Sequence, residues 1–202
     1  MGSFSRRKFL LSASIAGGAS VLAACTGDGD AKNAVANNGR NEIYAPDGEL
    51  DHFIRPDDRE EPLDFSGDSL MDEEKKIYLS DFAGQMVVIN AWGQWCAPCR
   101  TEIDDLQEVH EDMQSKKLGT VLGINVRDYN PQIARDFLKD NGITYPSIYD
   151  PPFKTAASLG GIPASVIPST VILDSRHRQA AVFIRPIEAA DLQDVIQKIA
   201  AE

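Results

Sequence analysis

Cysteine and histidine are scarce in this chain, with three of each among 202 residues. His52, His110 and His177 are scattered. A structural zinc site takes four ligands, commonly two CxxC pairs or one CxxC with two histidines. No such set stands together here, and a copper-delivery site of the CxxxC-plus-His kind has a different spacing, so neither a metal nor another cofactor is expected. Positive charge is also short. The chain carries 20 Lys and Arg against 31 Asp and Glu, for a net charge of -11, which argues against charge-driven binding to nucleic acid or anionic membrane. Beyond the first 25 residues no apolar run reaches the roughly 18 residues that a membrane-spanning helix needs. Internal repeats are absent. What remains is ordinary for one globular domain: 43% hydrophobic and 25% charged residues, at a length that supports a single core.

The first residues read as an address. Arg6-Arg7-Lys8 precedes Phe9-Leu10 and a moderately apolar stretch diluted by glycine and serine. That order fits a secretory signal peptide, and the arginine pair fits the twin-arginine route. Leu22-Ala23-Ala24-Cys25 has the form of a lipobox, so Cys25 is the expected lipidation site. The expected organisation is a signal peptide over 1–24, lipidated Cys25 and a flexible tether over 25–50, and a folded domain over 51–202. Removing 1–24 takes away three cations and no acid, which moves the net charge from -11 to -14. About 25 residues of coil reach roughly 25–30 Å. Such a chain is anchored by lipid to the outer face of the bacterial cell membrane, in an oxidising space. With Cys25 carrying lipid, only Cys96 and Cys99 are left to react.

Strand and helix signals then alternate. Residues 63–65 and 77–79 alternate as edge strands do, around a polar turn at 72–76. Residues 86–92, Met-Val-Val-Ile-Asn-Ala-Trp, form a continuous β-branched run that marks a strand buried on both faces. A helix follows over about 97–114, with Ile103, Leu106, Val109 and Met113 at spacings of three and four. Residues 121–126 form a second buried strand, and 131–141 a helix with Pro131 in its first turn and Gly142 past its end. Residues 170–173 and 180–184 make a hairpin, and 188–201 a closing amphipathic helix. This order predicts an α/β fold: a mixed sheet with helices on both faces.

Cys96-Ala97-Pro98-Cys99 stands at the junction of a buried strand and a helix. A loop this small makes a weak staple, because closing it removes little chain entropy. With zinc set aside, the pattern points to redox chemistry. The first sulfur falls at the helix N-terminus, where free N–H groups and the dipole favour a thiolate. Pro98 restrains the first turn, and Cys99 sits one turn in, shielded, within reach of a mixed disulfide on Cys96. Cys96 itself is expected to be open to a client. Trp95 should be partly exposed as an apolar docking patch, and Trp92 packed near the thiols.

At these residues the chain resembles the thioredoxin superfamily. Residues 87–102, Val-Val-Ile-Asn-Ala-Trp-Gly-Gln-Trp-Cys-Ala-Pro-Cys-Arg-Thr-Glu, look like its active-site segment. They are most similar to the tethered, extracytoplasmic TlpA/ResA-like (DsbE-like) group linked to cytochrome c maturation. The resemblance covers roughly residues 60–202 and implies a thioredoxin-like fold with an N-terminal β extension. It also implies that Glu102 is a buried carboxyl relaying protons, with a raised pKa; read without it, Glu102 is a first-turn acid favouring the helix dipole. Asn90 takes the place of a buried aspartate of cytoplasmic thioredoxins. The family's cis-proline maps to Pro168, directly before the strand, with Ile167 presenting its backbone to an extended substrate. Two departures lie near the docking region. The loop between Ser158 and Pro168 carries an extra Pro163-Ala164-Ser165, and Asp150 is followed by Pro151-Pro152 without the usual glycine.

The expected function is therefore a membrane-tethered thiol–disulfide oxidoreductase acting through Cys96 and Cys99. Trp95, Pro98, Ile167 and Pro168 would line the substrate site. Its expected partners are exported thiol or disulfide proteins, apocytochrome c among them, and a membrane redox partner; the domain is expected to be a monomer. Reduction in cytochrome c maturation and oxidation of newly exported proteins are both compatible with Ala97-Pro98. The rival is a non-catalytic lipoprotein that uses the domain as a binding module with a fixed disulfide. A peroxidase reading lacks a PxxxTxxC pattern at the strand–helix junction.

Overall fold

A computed structural model of the chain describes residues 51–202. Cys25, the signal peptide and the tether lie outside the described residues. The elements are β1 Asp51–Phe53, β2 Ser66–Ser69, β3 Lys76–Tyr78, β4 Met86–Trp92, α1 Ala97–Ser115, β5 Gly119–Asn125, α2 Pro131–Asp140, β6 Ser147–Tyr149, β7 Ser169–Leu173, β8 Gln179–Phe183 and α3 Ala189–Ala200. One sheet holds all eight strands in the order β1-β8-β7-β4-β5-β6-β2-β3.

Strand β4 lies at the centre, parallel to β5 and antiparallel to β7. All seven of its residues are buried, and all but Asn90 carry apolar side chains, on both faces. Strand β6 continues the parallel part beside β5. The two crossovers, β4-α1-β5 and β5-α2-β6, step the same way across the sheet. With right-handed connections, both helices land on one face. There Val88 and Trp92 of β4 pack with Ile103 and Leu106 of α1, Leu138 of α2 and Leu192 of α3. The opposite face carries Val87, Ile89 and Ala91 under Phe65, Leu79, Phe153, Leu159 and Ile162. Two short 3-10 helices, Leu79–Phe82 and Lys154–Ser158, cover that side. The sheet is thus mixed and flanked on both faces, with the three α-helices gathered on one of them.

Local signals explain the helix ends. Asn130 caps α2 by accepting from the Gln132 N–H at 3.1 Å, Pro131 opens it, and Gly142 follows it at φ +67. The β7–β8 hairpin is closed by Asp174, whose carboxylate accepts from the Arg176 and Arg178 N–H groups at 2.9 Å each. Residues 63–65 are not the expected edge strand. Leu63 N–H donates to His177 O at 2.9 Å, and Phe65 O accepts from Leu79 N–H at 3.0 Å. Pairing begins one residue later, in β2, against β3 and β6. Ser-Gly-Asp-Ser has no apolar alternation to announce it, and Gly67 is required because a Cβ there would overlap Ile148.

Candidate functional site

The C-terminal ends of the parallel strands meet the start of α1 at the CxxC. Cys96 is the N-cap of α1, with Pro98 in the first turn. Its sulfur accepts from the Cys99 N–H at 3.2 Å, so an amide of the first turn of the helix already points at it. Cys96 and Cys99 are joined in a disulfide, with Cα atoms 5.3 Å apart. Cys99 is buried, and Cys96 keeps only 3% of its surface exposed. This is tighter than the open sulfur expected from sequence. The reason lies across the chain, where the loop before β7 returns its Ile167 carbonyl to 3.9 Å from Cys96 Sγ. The Ile167–Pro168 peptide is cis; Pro168 is buried and Ile167 half-buried.

The tryptophans have separate surroundings. Trp92 is buried, and its indole N–H donates to Ser147 Oγ at 3.0 Å. Trp95 is 46% exposed yet firmly placed, with its indole N–H on Val126 O at 3.0 Å. Gly93 makes that possible, since a Cβ there would strike the Trp95 indole and sit 2.9 Å from Val126 O. Pro98 is exposed beside it.

Glu102 does not face solvent at the helix start. It lies one turn below Cys99 on the same buried face of α1. Its carboxylate accepts from Asn90 Nδ2 at 2.8 Å and from the Ile187 N–H at 3.0 Å. Burial pushes its pKa from the ordinary 4.5 up to about 7, and these two hydrogen bonds hold it from rising further. Asn90 also donates to Thr170 Oγ1 at 3.1 Å, linking the carboxyl to the strand that follows Pro168. A titratable proton at neutral pH is thus stored behind the disulfide. Among the described residues no group of three or more His, Cys, Asp or Glu could hold a metal ion, and no helix is long and apolar enough to cross a membrane.

Several site residues had no sequence signal. Asp128 accepts from Gln94 N–H and from Asn125 Nδ2, at 2.7 Å each, and so pins the loop after β5 to the CxxC approach. Arg127 lies between Trp95 and the Ile167 loop. Ile187 contributes its backbone N–H to Glu102. Each is brought in by long-range folding and belongs to no local motif.

The model of the AhpC/TSA family matches residues 60–179. Among solved structures, a secreted thiol-disulfide isomerase from Corynebacterium glutamicum is 57% identical, covers 80% of this chain and 98% of its own, and superposes with a TM-score of 0.77. A DsbF homologue from Corynebacterium diphtheriae is 54% identical over 79% of this chain and 99% of its own, with a TM-score of 0.73. Sporulation thiol-disulfide oxidoreductase A of Bacillus subtilis is 28% identical over 113 residues, 55% of this chain and 66% of that protein. The chain therefore spans about two thirds of the length of that curated relative.

Proposed function

From the premise that the chain belongs to the AhpC/TSA family of the thioredoxin superfamily, as a thiol–disulfide oxidoreductase, we propose that it exchanges disulfides with exported proteins while lipid on Cys25 holds it to the outer face of the cell membrane. The observation that carries this reading is the bonded Cys96–Cys99 pair at the tip of α1, its first sulfur facing a backbone N–H. A client thiolate attacks Cys96, the internal bond breaks, and Cys99 leaves as a thiolate. In reverse, Cys99 attacks the mixed disulfide and releases the client as a thiol. Amide groups at the helix tip favour the sulfur anion at Cys96. Glu102 takes up or returns a proton near pH 7. Trp95, Pro98 and Ile167 form the rim on which a client strand lies, and buried Pro168 follows Ile167 in the loop behind it.

Two assignments fit one geometry: reduction of apocytochrome c with electrons from a membrane partner, and oxidation of newly exported proteins. Trapping decides whether there are clients and names them. In a Cys99→Ser variant, the mixed disulfide on Cys96 cannot be resolved, so exported proteins should accumulate as adducts sensitive to reductant. No adducts, together with no thiol exchange by the wild type, would establish the rival reading of a binding module with a fixed disulfide.

A further inference from the structure

The disulfide is almost covered although its neighbours in sequence are open. Cys96 is 3% exposed, whereas Trp95 is 46% exposed and Ala97 and Pro98 lie on the surface. Arg127 bridges the two walls of this mouth. Its guanidinium stands over the Trp95 ring, 5.6 Å from the centroid, and its Nη2 donates to Ala164 O at 2.7 Å. Trp95 directly precedes Cys96. Ala164 belongs to the extra Pro163-Ala164-Ser165 segment, in the loop whose Ile167 carbonyl reaches Cys96 Sγ. One side chain therefore joins the sides between which the sulfur lies.

The backbone is arranged for this contact. Arg127 has φ +58, a left-handed conformation that a residue with a Cβ seldom adopts. Its N–H on Pro151 O at 3.0 Å holds it there. The loop on the far side has its own turn, closed by Val166 N–H on Pro163 O at 3.0 Å. It leaves the preceding segment through Gly160 and Gly161, at φ +66 and +94. These glycines supply the positive φ that this exit requires, where a residue with a Cβ is strained.

We propose that Arg127 is a positioning residue that latches the 161–167 loop across Cys96, so that a thiol reaches the sulfur only when the latch opens. The proposal rests on the oxidoreductase reading above. An incoming thiolate bonds to Cys96 Sγ as the Cys96–Cys99 bond breaks, and Cys99 leaves with the electron pair and takes up a proton. The second thiol of the reductant then displaces Cys96, which leaves as the thiolate. Arg127 touches neither sulfur, so the latch changes the rate of exchange and leaves its equilibrium alone.

The test uses dithiothreitol on oxidised wild type, Arg127→Ala and Arg127→Lys, with acid quench and alkylation to count free thiols. Arg127→Ala should be reduced about threefold to tenfold faster, the factor that one net hydrogen bond is worth. Arg127→Lys keeps a cation and a donor and should fall between the two. The equilibrium constant against glutathione should be the same for all three. An Arg127→Ala rate equal to wild type would overturn the latch. So would a rate gain matched by an equal change in the equilibrium constant, which would place the effect on the sulfurs themselves. Turnover of a disulfide-bonded client protein by the wild type tests the oxidoreductase reading separately, because the dithiothreitol ratio needs no client.

Discussion

The Glu102 carboxyl sets a pH dependence that can be measured. Its folded-state pKa is raised from 4.5 to about 7, so the folded protein holds a proton between those values that the unfolded chain has released. Stability should therefore fall as pH rises from about 4.5 to 7 and level off above, by up to about 3 kcal/mol at about 1.4 kcal/mol per pH unit. Urea unfolding at pH 5 and pH 8 should show this difference in wild type and lose most of it in Glu102→Gln. The glutamine offers one acceptor to the two donors, Asn90 Nδ2 and Ile187 N–H, so its stability should also be lower at pH 5. Gly93 is a second residue with a definite consequence. Gly93→Ala places a methyl group against the Trp95 indole and Val126 O, and the indole must leave its hydrogen bond. Tryptophan fluorescence should then report a more solvated Trp95, with quenching by acrylamide increased over wild type. Glu102 could be singled out from its place after Cys99, but the Ile187 amide that completes its site lies 85 residues away and leaves no local mark.

Among the elements, α1 carries the site and much of the core. Leu106 is buried on its inner face between sheet and α3, so Leu106→Ala should cost about 2–5 kcal/mol, readable as a lowered denaturation midpoint. The helix also organises its neighbour: Asp105 Oδ1 accepts the Ala189 N–H at 3.2 Å, capping α3 from another element. Strands β4, β5, β7 and β8 and all three helices are legible because each repeats an apolar period over five or more residues. Strands β2 and β6 are not. Each is short, polar or next to proline, and each is a strand because the other, or a third strand, supplies its hydrogen bonds. Gly123 illustrates the same limit. A Cβ there would overlap Ser147 Oγ and crowd Trp92 Nε1, so its absence clears space for the Trp92–Ser147 hydrogen bond between residues 55 apart.

For the whole molecule, the direction of electron flow is a matter of potential. Members of this superfamily run from roughly -270 to -120 mV. Equilibration with glutathione buffers should give a value below about -150 mV if the protein is a reductant of exported thiols; a higher value assigns it to oxidation. The order of residues by itself is enough to place a redox CxxC at the mouth of a buried strand and to assign a mixed sheet, because these depend on spacing and on apolar period; Pro168 is chosen over Pro163 through the resemblance to the thioredoxin superfamily. How far the disulfide is covered depends on where Arg127 and the 161–167 loop come to rest. The protonation of Glu102 depends on how completely α1, β4 and the turn before α3 exclude water around it. Both are properties of surfaces meeting across the sheet, and no window of sequence contains both sides.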